Sequence, residues 1–353
     1  MSAVSSGRET PIELACVQPD AAPQFAVRER ALREPGAGMV LVKVEATSVN
    51  PIDAKRAAGY GRRLLGLKGA GRFPLVLGND LVGVVQAVGP KVDGVAVAQR
   101  VLGLVGTGRA GGAHASHLLV PAAQLVSAPP AAGAADLAVL PYSFTTMWLA
   151  VRSVGLFRDN ARGLRVLVHG GCGGLGQLAL QLLRSWGVRV TAICAPGNRD
   201  RCLAAGAETA IERNAEAISS LPPIFDAVLN FASWDDDAAL ATRLGSQGRG
   251  HATTVHPLLG NMDSLGLLRG ALRSRRDWAG VGRVVTERAP HADYKWTVFR
   301  PERPALEALA AGLQLGRFQL PVGVDLPFER AGEAFRHVSS GGAGRAVLRP
   351  RGG

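Results

Sequence analysis

Apolar and polar positions alternate along the first third of the chain, and this alternation predicts a domain made mostly of strands. It is typical of strands that pack one face on a core and expose the other to water. Glycine and proline turns recur about every ten residues between them. The predicted strands lie at residues 12–17, 24–30, 39–48, 75–88, 100–105 and 113–120. Residues 54–71 are polar and contain glycine, and no element is predicted for them.

The pattern changes near residue 131, where alanine-rich and apolar helical segments begin, and we place a domain boundary near residue 133. Strands and helices then alternate, which indicates a doubly wound parallel sheet. Helices are predicted at residues 131–139, 140–151, 199–205, 234–244 and 304–315, and strands at 209–211, 225–230, 251–255 and 281–286. The tail, residues 320–350, predicts two strands around a helix at 330–337, which return to pack on the first domain.

The most informative stretch is LRVLVHGGCGGLGQLALQLLRSWGVRVTAIC, residues 164–194. It reads as a buried strand, a glycine-rich turn, a helix and a second strand, at residues 164–169, 170–176, 177–186 and 188–193. In this βαβ context Gly171, Gly173 and Gly176 fit the motif G-x-G-x-x-G. Such glycines allow a tight turn and a close approach of the backbone to a pyrophosphate at the helix N-terminus. The stretch therefore predicts a dinucleotide-binding site.

The charge balance is strongly basic but comes without a nucleic-acid-binding motif. The net charge is +12, from 40 basic and 28 acidic residues, and only five of the basic residues are lysines. No zinc finger, helix-turn-helix or aromatic-plus-basic stripe accompanies the charge. We interpret it as an arginine-rich solvated surface, with a candidate basic patch at residues 269–283, and do not expect a nucleic-acid partner.

Composition also bears on the compartment. With 47% hydrophobic residues the chain can bury a sizeable core, and no apolar run approaches the roughly 18 residues of a membrane span. The N-terminal residues include Glu9 and Glu13 and lack the basic and apolar regions of a signal peptide. Four scattered cysteines without a C-x-x-C pair argue against a disulfide framework. These features predict a cytoplasmic protein without a membrane span.

Six segments give the chain a resemblance to a known family. They are VNPIDAKRAAGYG (49–61), PLVLGNDLVGVV (74–85), LPYSFTTMW (140–148), HPLLGNMDSLGLLRG (256–270), ADYKWTVF (292–299) and GAGRAVL (342–348). With the glycine loop, they resemble the zinc-independent medium-chain dehydrogenases/reductases, and within these the quinone oxidoreductases. Two of them, HPLLGNMDSLGLLRG and ADYKWTVF, look closest to the reticulon-interacting NADPH oxidoreductase group. The resemblance covers nearly the whole chain.

The resemblance implies an α/β fold with two domains. A GroES-like, β-rich catalytic domain would comprise residues 1–133 and 317–353. A Rossmann domain with a doubly wound parallel sheet would comprise residues 134–316 and bind NADPH. The implied substrate is a small-molecule quinone or enone, and a homodimer is a candidate assembly because dimers are common in the family.

The resemblance also implies a site without metal. Zinc-dependent relatives carry Cys and Gly-His-Glu where this chain has residues 50–53 and 78–80. Asn79 is a poor zinc ligand, and no cysteine lies nearby in the sequence. His114 and His117 are three apart in a predicted strand, where they would point to opposite faces.

The residues that follow the second strand of the βαβ unit favour NADPH over NADH. A carboxylate about twenty residues beyond the glycine loop would bind an NAD ribose, but none precedes Asp200. Arg199, Arg201 and Arg213 are available for the 2′-phosphate of NADPH. Similar proteins have Ser at Ala195 and Tyr at Arg213, so the chain departs from their pattern at both positions.

Further cofactor contacts are carried over from the resemblance. They lie over the pyrophosphate, along the ribose and nicotinamide pocket, and in the closing glycine motif, where an arginine replaces a lysine. In that order they are Cys172, Gly174 and Leu175; Thr146, Phe231, Thr254 and Phe299; and Arg345. For Phe231 and Phe299, ordinary core packing is an alternative.

Hydride transfer to a quinone or enone without metal requires hydrogen bonds to the developing anion and a proton donor. The candidates are Asn50, Lys55 and Tyr60, with water as the alternative. Asn50 and Asp53 would alternatively only shape an Asx-type turn. Two other functions stay open. One is reduction of an enoyl thioester, and the other is NADPH binding without turnover in a redox-sensing protein.

Overall fold

The computed structural model describes residues 10–108, 111–214 and 216–350, which form two compact units. The first unit consists of the described parts of Met1–Gly59, Lys68–Val139 and Val322–Gly353, and the second of Tyr60–Leu67 and Leu140–Pro321. The main boundaries, at Val139 and Val322, lie within a few residues of the predicted limits, but Tyr60–Leu67, predicted in the first domain, belongs to the second unit. The first boundary lies beyond residue 133 for a local reason. The reason is that helix Ala134–Ala138, whose alanines mark the change of pattern in the sequence, packs on strands of the first unit. The roles of the two domains stay predictions.

The first unit is built mainly from antiparallel strands. Its strands are β1 (Ile12–Cys16), β2 (Phe25–Glu29), β3 (Met39–Val49), β4 (Leu75–Val76), β5 (Asp80–Val88), β6 (Arg100–Leu104), β7 (His117–Pro121), β8 (Leu125–Ser127), β15 (Val322–Pro327) and β16 (Arg345–Arg349). Its helices are α1 (Pro51–Ala57), α3 (Ala134–Ala138) and α11 (Ala331–Ser339). One sheet has the order β15-β16-β3-β5-β6-β8, with β7 also paired to β3, and a second has the order β2-β1-β4.

The C-terminal tail completes the larger of these sheets. Strand β16 pairs antiparallel with β3, so that Leu348 lies opposite Thr47, and α11 packs on β16. Phe328 and Phe335 fill a core between this helix and the sheets, together with Leu14 and Leu77. The predicted return of the tail to the first domain is confirmed.

The second unit contains a six-stranded parallel sheet with the order β11-β10-β9-β12-β13-β14. These strands are β9 (Arg165–His169), β10 (Arg189–Cys194), β11 (Thr209–Glu212), β12 (Ala227–Asn230), β13 (Gly250–Thr253) and β14 (Asp293–Trp296). The helices are α2 (Arg62–Leu67), α4 (Pro141–Ser153), α5 (Gly174–Ser185), α6 (Arg199–Ala205), α7 (Asp237–Ala241), α8 (Leu258–Leu265), α9 (Leu267–Arg288) and α10 (Arg303–Gln314). The predicted fold class, a β-rich domain with a doubly wound parallel sheet, is confirmed.

Two local predictions are wrong, and some elements, among them β14 and the helices α1 and α2 near residues 54–71, were not predicted. The strand predicted at residues 281–286 lies within α9, because Val281 and Val285 follow helical spacing and face the core. Strand β14 was not predicted, since four residues that alternate charged and aromatic side chains give little signal. Strand β7 begins at His117, so His114 precedes it in irregular backbone and the argument about opposite strand faces does not apply.

One segment is apolar and long enough to cross a membrane by length and composition, which corrects the expectation that no such run exists. This segment is Ala134–Ser153, 20 residues that include α3 and α4. Of its most apolar window, 72% is buried inside the protein. That burial is the property of core helices, and the structure shows no clear membrane span among the described residues.

Candidate active site

The ends of five strands in the second unit bring most of the predicted cofactor residues to one edge of the sheet. His169 at the end of β9 is paired in register with Ile193 and Asn230, and the neighbouring strands continue this register. The residues that follow these strands are Gly170, Ala195, Arg213, Phe231 and Thr254. Ligands of open parallel sheets bind at the carboxyl ends of the strands. The predicted residues therefore share the edge at which such a ligand is expected.

The glycine loop between β9 and α5 is held by its own backbone. The N–H groups of Gly170 and Gly171 donate to the carbonyl of Ile193 at 2.9 and 3.0 Å, and the N–H of Gly173 donates to Gly170 at 3.0 Å. A Cβ on Gly176 would lie 2.1 Å from the Gly170 carbonyl oxygen. Gly176 is therefore required by close packing within the loop.

Gly171 and Gly173 differ in what surrounds them. A Cβ on Gly171 would lie 2.9 Å from the Cβ of Ala192, so this glycine is also required by packing. A Cβ on Gly173 would meet only the Gly170 carbonyl oxygen, at 3.4 Å. The protein itself leaves this position open, which is the property expected of a glycine whose space a ligand uses.

Helix α5 begins at this loop and directs its first amides outward. Gly174, Leu175 and Gly176 form the first turn, whose N–H groups have no acceptor within the helix, and this turn contains no acidic residue. Gln177 donates its side-chain N–H to the Cys172 carbonyl at 2.7 Å, which fixes the loop before the helix. The glycine cradle and the helix N-terminus fit a dinucleotide pyrophosphate.

Arg213 lies in a cluster that sequence reasoning missed. Its guanidinium donates to both carboxylate oxygens of Asp236, at 2.8 and 3.2 Å. Asp236 also bonds the Nε2 atom of His169 at 2.8 Å. The only sequence signal is a histidine directly before the glycine loop and a run of three aspartates at 235–237. The predicted 2′-phosphate ligand is thus held by a carboxylate, while Arg199 and Ala195 are exposed.

Burial sets the protonation of this cluster. Burial lowers the pKa of His169 below its ordinary value, although its hydrogen bond to Asp236 acts in the opposite direction. Burial would raise the pKa of Asp236, but hydrogen bonds from Arg213 and His169 outweigh it and keep that pKa below the usual value. At neutral pH we expect a neutral His169 beside an ionised Asp236, whose charge is compensated by Arg213.

Thr146 and Phe299, both predicted near the nicotinamide, share one neighbour. The Thr146 hydroxyl donates to the Tyr142 carbonyl at 2.8 Å within α4. The rings of Tyr142 and Phe299 have centroids 4.4 Å apart. The structure therefore brings these two predicted residues together at Tyr142.

In the first unit, Asn50 and Arg345 meet in a buried polar network. The Asn50 side-chain N–H groups donate to Asp80 at 2.7 Å and to Ser48 at 3.0 Å, and the Ser48 hydroxyl donates to Asp80 at 2.5 Å. Arg345 donates to the Asn50 carbonyl oxygen. Both side-chain N–H groups of Asn50 are used, so it has no proton left to donate, and its carbonyl oxygen positions Arg345.

Asp53 and Asn79, the other polar residues of this region, hold the backbone. Asp53 accepts hydrogen bonds from the N–H groups of Asn50 and Gly78, at 2.9 and 3.0 Å. Asn79 donates to the Val105 carbonyl at 2.8 Å. Among the described residues, no group of three or more His, Cys, Asp or Glu side chains is placed to hold a metal ion. The absence of a catalytic metal stays a prediction.

The two remaining candidates for the proton donor of the reaction, Lys55 and Tyr60, have different surroundings. Lys55 is exposed on α1 in the first unit. Tyr60 belongs to the second unit, where its ring lies near Gly260 of α8. Burial raises the pKa of Tyr60, a backbone hydrogen bond at Gly260 lowers it, and the charge of Asp263 raises it further. Its hydroxyl therefore stays protonated at neutral pH and can donate a hydrogen bond.

The chain is similar in sequence and in fold to known oxidoreductases. Residues 36–130 match the alcohol dehydrogenase GroES-like domain. The chain is 30% identical over 332 residues to the mitochondrial NAD(P)H oxidoreductase RTN4IP1 of Bos taurus, covering 88% of this chain and 81% of that protein. It is 30% identical over 334 residues to the mitochondrial reticulon-4-interacting protein 1 of Caenorhabditis elegans, covering 88% of both. The solved quinone oxidoreductase of Coxiella burnetii superposes with a TM-score of 0.77 over 97% of this chain, at 20% identity.

The chain belongs to the quinone oxidoreductase family of the medium-chain dehydrogenases/reductases. The predicted family is thus confirmed, and the protein is an oxidoreductase whose cofactor is a nicotinamide dinucleotide. The prediction that this protein is cytoplasmic is wrong, because the bovine and nematode relatives are named as mitochondrial. That prediction used the acidic residues Glu9, which lies outside the described residues, and Glu13. A compartment is set by a recognised signal, and charge composition is a poor substitute for one.

Proposed function

We propose that this protein oxidises NADPH and transfers hydride to a quinone or an α,β-unsaturated carbonyl compound without a metal ion. The observation that carries the proposal is the shared sheet edge, where the glycine loop, Ala195, Arg213, Phe231 and Thr254 follow aligned strands. Bound NADPH supplies the hydride. The chain's own residues bind the cofactor, orient it and balance the charges that develop.

The preference for NADPH rests on the charges near Ala195. No carboxylate follows β10 directly, and Glu212 at the end of β11 accepts a hydrogen bond from the Gly197 N–H at 2.9 Å. Arg213 uses Nε and one terminal nitrogen on Asp236, and its other N–H groups remain for a phosphate. Arg199, at the start of α6, adds a second exposed guanidinium. These groups favour a 2′-phosphate over a free ribose hydroxyl.

Other contacts retain their proposed roles. The amides of Gly174 and Leu175, with Cys172 in the loop, bind the pyrophosphate. Thr146, Phe231, Thr254 and Phe299 bound the ribose and nicotinamide pocket.

In the first unit, Asn50 accepts a hydrogen bond from Arg345 and so positions its guanidinium, whose positive charge would balance an anionic group of the cofactor or of the reduced acceptor. Lys55 and Tyr60 remain the side-chain candidates for proton donation, with water as the alternative.

The reaction is tested by a panel of NADPH oxidation rates with quinones, enones and enoyl thioesters, after treatment with a metal chelator. We expect turnover with quinones or enones that the chelator leaves unchanged. Turnover confined to enoyl thioesters, or bound NADPH that no acceptor oxidises, would contradict the proposal. Loss of activity on chelation that zinc restores would contradict its metal-free form.

The choice of nucleotide is tested at Arg213 and Arg199. We expect Arg213→Ala and Arg199→Ala each to raise the KM for NADPH by about tenfold and to leave that for NADH unchanged, because a lost charge-assisted hydrogen bond to phosphate costs roughly 1.5 kcal/mol. Arg158→Ala, at an exposed arginine of the same unit, is the matched control. Equal use of NADH and NADPH by the wild type, with both KM values unchanged in the variants, would overturn the assignment.

A further inference from the structure

Exposed apolar side chains are concentrated where α8 meets α9. Of the fifteen large hydrophobic side chains that are exposed among the described residues, five lie between residues 265 and 278, and they are Leu265, Leu267, Leu268, Leu272 and Trp278. Leu268 is 84% exposed and Leu272 is 60% exposed. Soluble proteins expose single hydrophobic residues at random, but such a concentration marks an interaction surface.

Helix α9 directs these leucines away from the protein. Gly270, Ser274, Val281 and Val285 form its buried side. At 3.6 residues per turn, Leu268 and Leu272 lie about 160° and 200° around the helix from Gly270, opposite that buried side. The two leucines are four residues apart, so they form one apolar stripe on the solvent side.

The surface is held rigidly. A Cβ on Gly270 would lie 2.6 Å from the Asn261 carbonyl oxygen, which shows how closely α9 approaches α8. The Asn261 side chain donates to Ser274 at 3.1 Å and to Asp277 at 2.9 Å. The leucines are therefore presented by a packed helix pair.

Arginines flank the leucine stripe. Arg269, Arg275 and Arg276 are exposed and form no ion pair within the described residues, whereas Arg273 pairs with Asp277 at 2.8 Å. By the same helical spacing, the three unpaired arginines lie on both sides of Leu268 and Leu272. The result is an apolar stripe with a cationic border, on a chain whose net charge is already +12.

We propose that this α8–α9 surface, defined as residues 265–276, docks on an anionic phospholipid bilayer. Leucine side chains enter the boundary between headgroups and acyl chains, and arginines bind the lipid phosphates around them. A second copy of the chain fits less well, because a symmetric contact would bring the unpaired arginines together. A nucleic acid would leave both leucines in water.

The proposal that the surface docks on lipid does not depend on the proposed function. One consequence of docking, the access to substrate described next, does rest on the proposed function. If the acceptor is an apolar quinone, a protein held at the bilayer surface meets its substrate where that substrate is concentrated.

The test is co-sedimentation of the full chain with vesicles of phosphatidylcholine, alone or mixed with phosphatidylglycerol at about three to one. We expect binding to the anionic vesicles only, with a partition coefficient that falls as salt is raised. Two variants separate the apolar from the electrostatic contribution to binding. The first, Leu268→Ser/Leu272→Ser, removes the leucine stripe, and the second, Arg269→Gln/Arg275→Gln/Arg276→Gln, removes the charges beside it. Each should lower the partition coefficient at least tenfold. The control Ile224→Ser/Leu315→Ser removes two exposed apolar residues elsewhere in the same unit and should bind as the wild type does.

Several outcomes would overturn the proposal. They are equal binding to neutral and anionic vesicles, no binding to either, and unchanged binding by both surface variants. Sedimentation velocity tests whether a second copy of the chain binds, and an oligonucleotide shift assay tests whether a nucleic acid does. A dimer that Leu268→Ser/Leu272→Ser dissociates, or an oligonucleotide that binds where vesicles do not, would assign the surface to a different partner. Circular dichroism of each variant confirms that a loss of binding is not a loss of folding.

Discussion

The glycine loop of the second unit and the polar network of the first unit are built in opposite ways. The loop consists of backbone groups from seven consecutive residues, and its geometry depends on side chains being absent at Gly171 and Gly176. The network consists of side chains from three distant segments, with Asn50 bonded to Asp80 and to Arg345. One site is local in sequence and made of amides, and the other is assembled by the fold and made of charged and polar side chains.

This difference predicts different responses to substitution. A site made of backbone groups loses its geometry when a new side chain enters it, and it tolerates other substitutions. A buried side-chain network fails when any member is removed, because its former partners lose their hydrogen bonds in a place that water does not reach. Substitutions in the two regions should therefore separate cofactor binding from the later steps of the reaction.

The largest effect is expected for Gly176→Ala. The new Cβ would lie 2.1 Å from the Gly170 carbonyl oxygen, a backbone atom that cannot rotate away. We expect a loss of about 3 kcal/mol in the free energy of unfolding and a loss of NADPH binding, measured by denaturant titration and by nucleotide fluorescence.

The control is Gly280→Ala in α9, where nothing lies within 4 Å of the added Cβ. It should be neutral or stabilising by up to about 1 kcal/mol. A Gly176→Ala variant as stable as this control would show that the loop is not closely packed.

A smaller effect on stability is expected for Asn50→Ala. The change removes the acceptor of Arg345 and the donors to Asp80 and Ser48. We expect a loss of about 2 kcal/mol in the free energy of unfolding, and a fall in kcat, with the Kd for NADPH raised far less than by Gly176→Ala.

Gln99→Ala is the matched control, since its amide makes two hydrogen bonds in the first unit, against three for Asn50, and lies nearer the surface. It should lower the free energy of unfolding by less than about 1 kcal/mol and leave kcat unchanged. If Asn50→Ala weakens NADPH binding as strongly as the glycine-loop variant does, the two regions are not separable and the comparison fails.

The glycine loop could be predicted from the sequence, whereas the polar network around Asn50 could not. The glycine loop was predictable because its strand, turn and helix follow one another within residues 164–194. The bond between Arg345 and Asn50 joins residues 295 positions apart, and no periodicity reports such a pairing. The contact of His169 with Asp236 has the same cause, since it forms only when β9 and the start of α7 are brought together. Helix α9 was mistaken for a strand at 281–286 because β-branched residues were given more weight than their spacing.

The most gradual effect concerns pH and probes both regions. Burial lowers the pKa of His114, near the polar network, and of His169, beside the glycine loop, below the ordinary 6.5. Below pH 6.5 the unfolded chain binds protons that the folded chain does not, so the free energy of unfolding should fall as pH decreases. The fall is at most about 1.4 kcal/mol per pH unit for each histidine.

Denaturant titrations between pH 8 and pH 5 measure this slope. Little loss is expected from pH 8 to 7, where both histidines are mostly neutral in either state. His114→Gln and His169→Gln should each reduce the slope below pH 6.5. A slope that neither variant alters would assign the effect to other groups.

Gly173→Ala tests the central claim most directly, namely that the glycine loop holds the nicotinamide nucleotide. The protein leaves this position open, with only the Gly170 carbonyl oxygen 3.4 Å from an added Cβ. Titration with NADPH should show a Kd at least about tenfold higher than that of the wild type, at an unchanged midpoint of thermal unfolding. Equal affinity in the two proteins, or a wild type that does not bind NADPH, would contradict the account.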